Sequence, residues 1–479
     1  MSAVSGHREE LAKELPSKYL PGVGYRDLPE PLPLRKVVGP SVVLLAVSIG
    51  SGEFVLWPFI TSRMGTGILW IAAIGILTQY FINMEIERYT LATGETAVTG
   101  FTRLWNHWSW LFIIFTAGAW VWPGWATGAT TSLGFLFNWE SGTVNIVTVL
   151  GLVAIGIALT ASPVVYQTVE KFQMVMVAII FVFLILALFM GSEAEAWGNL
   201  FAFTTPDHPD LTPALMLGAL AFAGAGGSVN LAQSNWMRDK GLGMGAHIAK
   251  IESPLTGEPV AVPSIGWMFP TDEENMRRWR GWWKVANQEQ FYFFFVLGAI
   301  SIIVLSVLTA STVFGEDVGS DFEFIQLEGE RLKEIVAPWF GSFFWITGAV
   351  VLFSTNLGVL DHVGRVIADI LKINWLSENE RWSESKLYFA IVWAEITIGS
   401  LILLFAIDQP LLLLVIASSL NGLVMLVYSV LLIMLNRKTM PGPVRIAGVR
   451  LGAMVWSVVF FGFFSFILLQ DQLSALFGG

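Results

Sequence analysis

Hydrophobic positions in this chain gather into long, nearly uninterrupted runs, without the short alternation of half-buried strands. Runs long enough to cross roughly 30 Å of hydrocarbon fall at residues 37–62, 66–88, 109–136, 143–161, 168–190, 214–237, 289–313, 338–371, 386–407, 410–435 and 451–469. Backbone polar groups in lipid must be satisfied inside a helix or a closed barrel. The connections lack the regular spacing of barrel hairpins, so the pattern predicts an all-α membrane protein with about eleven transmembrane helices. Of the 27 Lys and Arg, 24 lie in the N-terminal tail and in the connections on its side, and three (Arg63, Arg331, Lys333) lie on the other. Basic residues collect on the cytoplasmic side. The N-terminus is therefore expected in the cytoplasm and the C-terminus outside, and so uneven a division supports the number of spans. Residues 1–36 are polar and proline-bearing and do not read as a signal peptide.

Two runs are interrupted near their middle by flexible residues, the first at Gly50-Ser51-Gly52 and the sixth at Gly224-Ala225-Gly226-Gly227. The interruptions lie five runs apart. An odd-numbered repeat must place its second copy upside down, so the breaks of an inverted five-plus-five repeat would face each other at the midplane. This predicts a tail at 1–36, a first repeat at 37–190, a second at 191–435 and an extra helix with its tail at 436–479. Glycine also lets membrane helices pack closely, and for either run alone that reading would stand. The polar insertion at 238–284 interrupts the second repeat. Within it, residues 251–260 read as a short hairpin around Thr256-Gly257, and the stretch from Thr271 to Asn275 opens a capped helix rich in Arg and Trp.

Composition agrees and narrows the chemistry. With 54% hydrophobic and 13% charged residues the chain is outside the range of water-soluble domains. The absence of cysteine excludes thiolate ligands, thiol nucleophiles and disulfides. The net charge of -10 is spread over loops and tails, which gives no case for nucleic acid as a partner. No nucleophile with its base, HExxH or phosphate loop is present, so no enzyme and no resident cofactor is expected.

Glu53 stands at the first interruption, where a membrane-buried charge costs several kcal/mol unless it faces a cavity or a partner. A break beside it would free carbonyls around residues 47–50 and amides around 52–54, with Gly50 at its edge. Across the axis, Gly226 and Gly227 open the second break, and Asn230, Gln233 and Ser234 follow at i, i+3 and i+4 on one face. Glu53 and Asn230 are the expected metal ligands, and ordinary interhelical hydrogen bonding remains the alternative for the three polar residues of the sixth run. Carboxylate and carbonyl oxygens suit hard ions such as Mg²⁺ or Mn²⁺. Glu395, about nine residues into the ninth run and so roughly 13 Å deep, could relay protons or hold a structural charge. Asp361 and Arg365, with His362 beside them, stand at i and i+4 and could form a local ion pair or a gate.

The order of ten helices resembles the NRAMP family of proton-coupled divalent-metal transporters over most of residues 37–440. The likeness rests on Gly39-Pro40, the Met64-Gly-Thr-Gly67 turn, Glu87-Arg88-Tyr89, Thr93-Gly94-Glu95 and Asn230-Leu231. It implies a LeuT-type fold and cation transport with a possible coupling proton. The family's Asp-Pro-Gly-Asn is replaced by Gly50-Ser51-Gly52-Glu53, and its Met-Pro-His stretch by Gly227-Ser228-Val229. What remains is an all-oxygen set, as in the branches of the family that carry Mg²⁺. The stretch from Ile49 to Leu56 is also similar to the Ile-Gly-Ser-Gly-Ile-Phe of amino acid permeases in the amino acid, polyamine and organocation superfamily, which implies an amino acid or polyamine substrate. The expectation is a secondary transporter in a prokaryotic plasma membrane, with lipid and a small divalent cation as partners and an organic solute as the alternative.

Overall fold

The computed structural model describes residues 11–161, 165–248, 265–379, 381–407 and 409–477. Nine helices among these residues are long and apolar enough to span a bilayer: α1 (Pro40–Met64), α2 (Thr66–Thr93), α4 (Ser141–Ala161), α5 (Val165–Met190), α7 (Glu273–Thr312), α8 (Pro338–Asn374), α9 (Glu384–Phe405), α10 (Pro410–Lys438) and α11 (Gly448–Phe477). Two further spans are each made of two pieces. These are α3a (Trp108–Trp120) with α3b (Gly124–Phe137), and α6a (Pro213–Ala221) with α6b (Gly227–Lys240). The architecture is the expected one of eleven helices, and the chain is a multi-pass membrane protein.

Position in the bundle follows from which helices can afford a polar or tightly packed face. In α1 every residue from Pro40 to Ser62 is buried. Helices α5 and α11 instead turn Phe172, Val182 and Phe189, and Val459, Phe463 and Phe466, outward, where only lipid suits such side chains. Between these extremes, α8 packs on α1, α3b, α5 and α9, while α10 packs on both pieces of α6 and on α11.

Two elements differ from the sequence reading. The third run is split at Val121-Trp122-Pro123, because Pro123 has no N–H to continue the ladder. The capped helix in the insertion does not stop before the seventh span. Asp272 accepts the Asn275 N–H at 2.8 Å, as an N-cap does, and the helix then runs unbroken into the membrane as α7. Its polar first turns project on the N-terminal side. There they hold the tail: Trp282 donates to Pro29 O at 2.8 Å, Arg278 to Leu28 O at 2.9 Å, and Leu28 N–H to Asn275 at 2.8 Å. The expected hairpin at 251–260 lies outside the described residues.

Candidate functional site

The two interruptions take different physical forms. In α1 the chain does not unwind. Residues Ile49–Leu56 form a π-helical stretch, in which the ladder shifts by one residue, so that Trp57 N–H reaches Gly52 O. The carbonyls expected to be free near residue 47 are occupied: Thr355 of α8 donates to Ala46 O at 3.0 Å and to Val47 O at 3.1 Å. The glycines serve close approach. A Cβ on Gly50 would stand 2.1 Å from Thr355 Oγ1, and one on Gly52 would stand 1.4 Å from the Phe222 carbonyl oxygen, which is where α1 meets the opening in α6.

In α6 the chain does unwind, over residues 222–226, and Gly226 (φ +71°) and Gly227 (φ +55°) adopt the left-handed conformation that favours glycine. An opened helix leaves carbonyls and amides that must find partners. Gln79 of α2 supplies most of them. Its Nε2 donates to Leu220 O at 3.3 Å and Ala221 O at 2.7 Å, and its Oε1 accepts from Gly226 N–H at 3.1 Å and Asn230 Nδ2 at 3.3 Å. Trp57 adds a bond to Ala219 O at 3.0 Å. Asn230 also donates to the Tyr428 hydroxyl at 3.2 Å, and its Oδ1 has no partner.

Glu53 lies inside the π stretch and has no exposed surface. The Ser48 hydroxyl donates to its Oε1, and its Oε2 has no hydrogen-bond partner. The carboxylate turns towards α7, where a Cβ on Gly298 would lie 3.8 Å from Oε1 beside Ile76 and Leu45. It does not meet Asn230 in this structure: no hydrogen bond joins the two, and their partners are on different helices. Among the described residues no group of three His, Asp or Glu side chains is gathered as a metal cage.

The remaining expected residues separate by role. Gln233 donates to Glu87 Oε1 at 2.5 Å. Ser234 donates to Leu231 O at 2.5 Å and accepts Ala97 N–H at 3.1 Å, so it steadies the short helix Ala97–Leu104. Asp361 and Arg365 form the local pair, with bonds of 2.9 and 2.8 Å, inside a wider web. Trp236 and Tyr388 donate to Asp361 at 2.8 and 2.9 Å, Arg365 reaches Asp239, and Arg238 reaches Asp369 at 2.9 Å and Glu384 at 2.6 Å. This web ties the end of α6b to α8 and α9. Glu395 is buried in α9 with Oε2 unpartnered.

The sequence reading missed the wall of the α6 opening. Trp120 and Trp125 flank the α3 break and stack at 5.1 Å between ring centroids; Trp120 lies 5.5 Å from Phe222 and 4.7 Å, edge-on, from His362. His362 Nε2 is 3.2 Å from the Ser228 hydroxyl. Both indole N–H groups are buried without a partner. The Trp-Pro-Gly-Trp stretch within an apolar run was the available signal. Gln79 had none beyond being an amide, with Asn83 one turn on, in an apolar helix.

Outside the membrane-spanning segments, Glu328 on the short helix Glu323–Ile335 is buried, and burial pushes its pKa up to about 8, opposed by a 2.9 Å bond from Thr309. Glu95 is desolvated, yet the Arg103 guanidinium, 2.5 Å away, together with bonds from the Tyr89 hydroxyl and Gly266 N–H, outweighs burial and holds its carboxyl below the usual value.

No protein-family model and no curated protein sequence matches the chain. Solved structures do match. A mutant of the Eremococcus coleocola manganese transporter superposes with a TM-score of 0.67 at 13% identity, covering 98% of this chain and 92% of that one. The same transporter in complex with an aromatic bis-isothiourea substituted compound gives 0.62 at 13% identity over the same shares. MhsT in complex with L-phenylalanine gives 0.54 at 16% identity, covering 91% of this chain and 98% of that one. The chain has the LeuT-type fold. The chain superposes on these transporters over nearly its whole length, and such low identities speak for fold alone.

Proposed function

We propose that this protein is a secondary transporter that moves a divalent cation of the Mg²⁺ or Mn²⁺ type, with Glu53 as its first ligand. The observation that carries the reading is the Glu53 carboxylate: fully buried at the interruption of the central helix, with one oxygen unpartnered. A charge so placed is stable only when a cation or a proton is with it. Its chemistry suits a hard ion, and the manganese transporter of Eremococcus coleocola shares the fold. Asn230 Oδ1, unpartnered across the α6 opening, completes the site when α6b moves towards α1 during alternating access. Glu395 relays the proton in a coupled cycle, and the Asp361–Arg365 web closes the N-terminal side. On this reading the N-terminus is cytoplasmic and the C-terminus outside, in a prokaryotic plasma membrane.

A second reading, transport of an amino acid or polyamine, is favoured by the aromatic wall. Trp120, Trp125 and Phe222 offer ring faces to an amine or an apolar side chain, and the two unpartnered indole N–H groups offer donors to a carboxylate. Purified protein in liposomes, given Mg²⁺, Mn²⁺, Ca²⁺, amino acids and polyamines with internal pH followed by a dye, separates the two. Saturable divalent uptake supports the first reading. Uptake of an amine or amino acid alone replaces it with the second.

A further inference from the structure

A second set of buried oxygens lies between α2, α6b and α7, away from Glu53. Gln79, Asn83 and Glu87 follow at i, i+4 and i+8 and so share one face of α2. This row runs from the α6 opening towards the N-terminal side. Glu87 is 2% exposed and accepts the Gln233 amide at 2.5 Å; the Gln290 amide, where α7 enters its π-helical stretch Gln290–Val296, lies against the same carboxylate. Gln233 Oε1, Gln290 Oε1 and both polar atoms of Asn83 have no hydrogen-bond partner, although none of the three residues has exposed surface. Each orphaned buried group costs about 1–3 kcal/mol, and such clusters in native interiors mark a bound ion or water.

The surrounding charges decide what kind of ion. Glu85 is taken by Arg88 at 2.7 Å and lies 3.9 Å from Arg450. Arg450 is also bound to Asn287 and stacked 4.7 Å over Trp283. Glu289 is close enough to Glu87 to repel it, but caps α1, accepting Gly39 and Ser41 N–H at 3.3 and 3.0 Å and the Ser41 hydroxyl. Lys240 is bound to Glu170 and to Val38 O. Glu87 has no ion pair among the described residues, and Arg450, beside Glu85, attracts it only from a longer distance. A carboxylate held by two carboxamide N–H groups, with the oxygens of Gln233, Gln290 and Asn83 left buried and unpartnered nearby, matches a hard cation of single charge.

We infer that Glu87, with the side-chain oxygens of Gln233, Gln290 and Asn83, binds Na⁺ as a coupling ion at a site separate from Glu53. Its role in coupling rests on the transporter reading, but its existence does not. The test is equilibrium binding of ²²Na⁺ to the purified full-length protein, at constant ionic strength with choline as the replacement cation. Saturable binding is expected in the wild type and in Glu53→Gln, at least tenfold weaker binding in Glu87→Gln, and several-fold weaker binding in Asn83→Ala, which leaves the Glu87–Gln233 bond intact and serves if Glu87→Gln does not fold. No saturable Na⁺ binding in the wild type, or binding in both α2 variants equal to that of the wild type, overturns the site. Divalent uptake driven by protons without Na⁺ binding would sink this inference and leave the divalent-cation reading standing; Na⁺ binding without divalent uptake would do the reverse.

Discussion

The interruptions in α1 and α6 look alike in sequence and differ in structure. In α1 the glycines keep helical backbone and are there because another chain segment lies against them: Thr355 at Gly50 and the Phe222 carbonyl at Gly52. In α6 two glycines take positive φ and the helix opens, with Gln79 bonding the exposed ends. Glycine in a membrane helix thus serves either close approach or unwinding, and only the neighbouring elements decide which. In α1 the outcome is a widened turn that aims Glu53 at α7. In α6 it is an irregular segment whose flanking carbonyls and Gly226 N–H are bridged by Gln79.

The comparison breaks most sharply at Gly52. Gly52→Ala is expected to cost more than about 4 kcal/mol and to yield little monodisperse protein, because its Cβ meets a backbone oxygen that no side-chain change removes. At Gly227 the obstacle is the Asn421 side chain, so Gly227→Ala is expected to cost about 2–3 kcal/mol. Adding Asn421→Ala should recover part of the loss in melting temperature, leaving the part due to positive φ. If the second substitution rescues Gly52→Ala as well, the distinction between the two breaks is wrong. Gln79→Ala removes the bonds to Leu220 O, Ala221 O and Gly226 N–H and should cost about 2–4 kcal/mol, with faster amide hydrogen exchange confined to residues 222–230. Exchange spread equally over α1 would contradict the division of labour.

Those outcomes turn on features that the sequence displayed unevenly. The spans were legible because a bilayer demands about 20 apolar residues in a row, and the basic residues fell on one side of the connections. Glu53 was legible because an acid in such a run is costly. The break in α3 was not, since a long apolar run masked the Pro123 signal. The continuity of α7 was hidden by its polar first turns, which read as a separate helix. The partners of Glu53 and Asn230 could not be read at all. Both residues sit at interruptions, but the direction of a side chain from a π turn depends on the register of the ladder, and Gln79 occupies Asn230 only through the fold.

A further prediction lies outside the membrane and serves as a control. Glu328 is protonated in the folded protein up to about pH 8, whereas in the unfolded chain it ionises near the ordinary glutamate value of 4.5. Its raised pKa favours folding least above pH 8: stability falls as pH rises from about 4.5 to 8, and is flat beyond. Glu328→Gln should flatten that part of the melting-temperature profile by a few degrees without changing transport. A profile identical to the wild type would show that Glu328 is not the group responsible.

The central claim is that Glu53 holds the transported cation. Its most direct test is the initial rate of Mn²⁺ uptake into liposomes containing wild-type protein or Glu53→Gln, matched for amount and for melting temperature. With Glu53 as ligand, uptake is saturable in the wild type and falls at least a hundredfold in the variant; uptake by Glu53→Gln equal to that of the wild type would contradict this role.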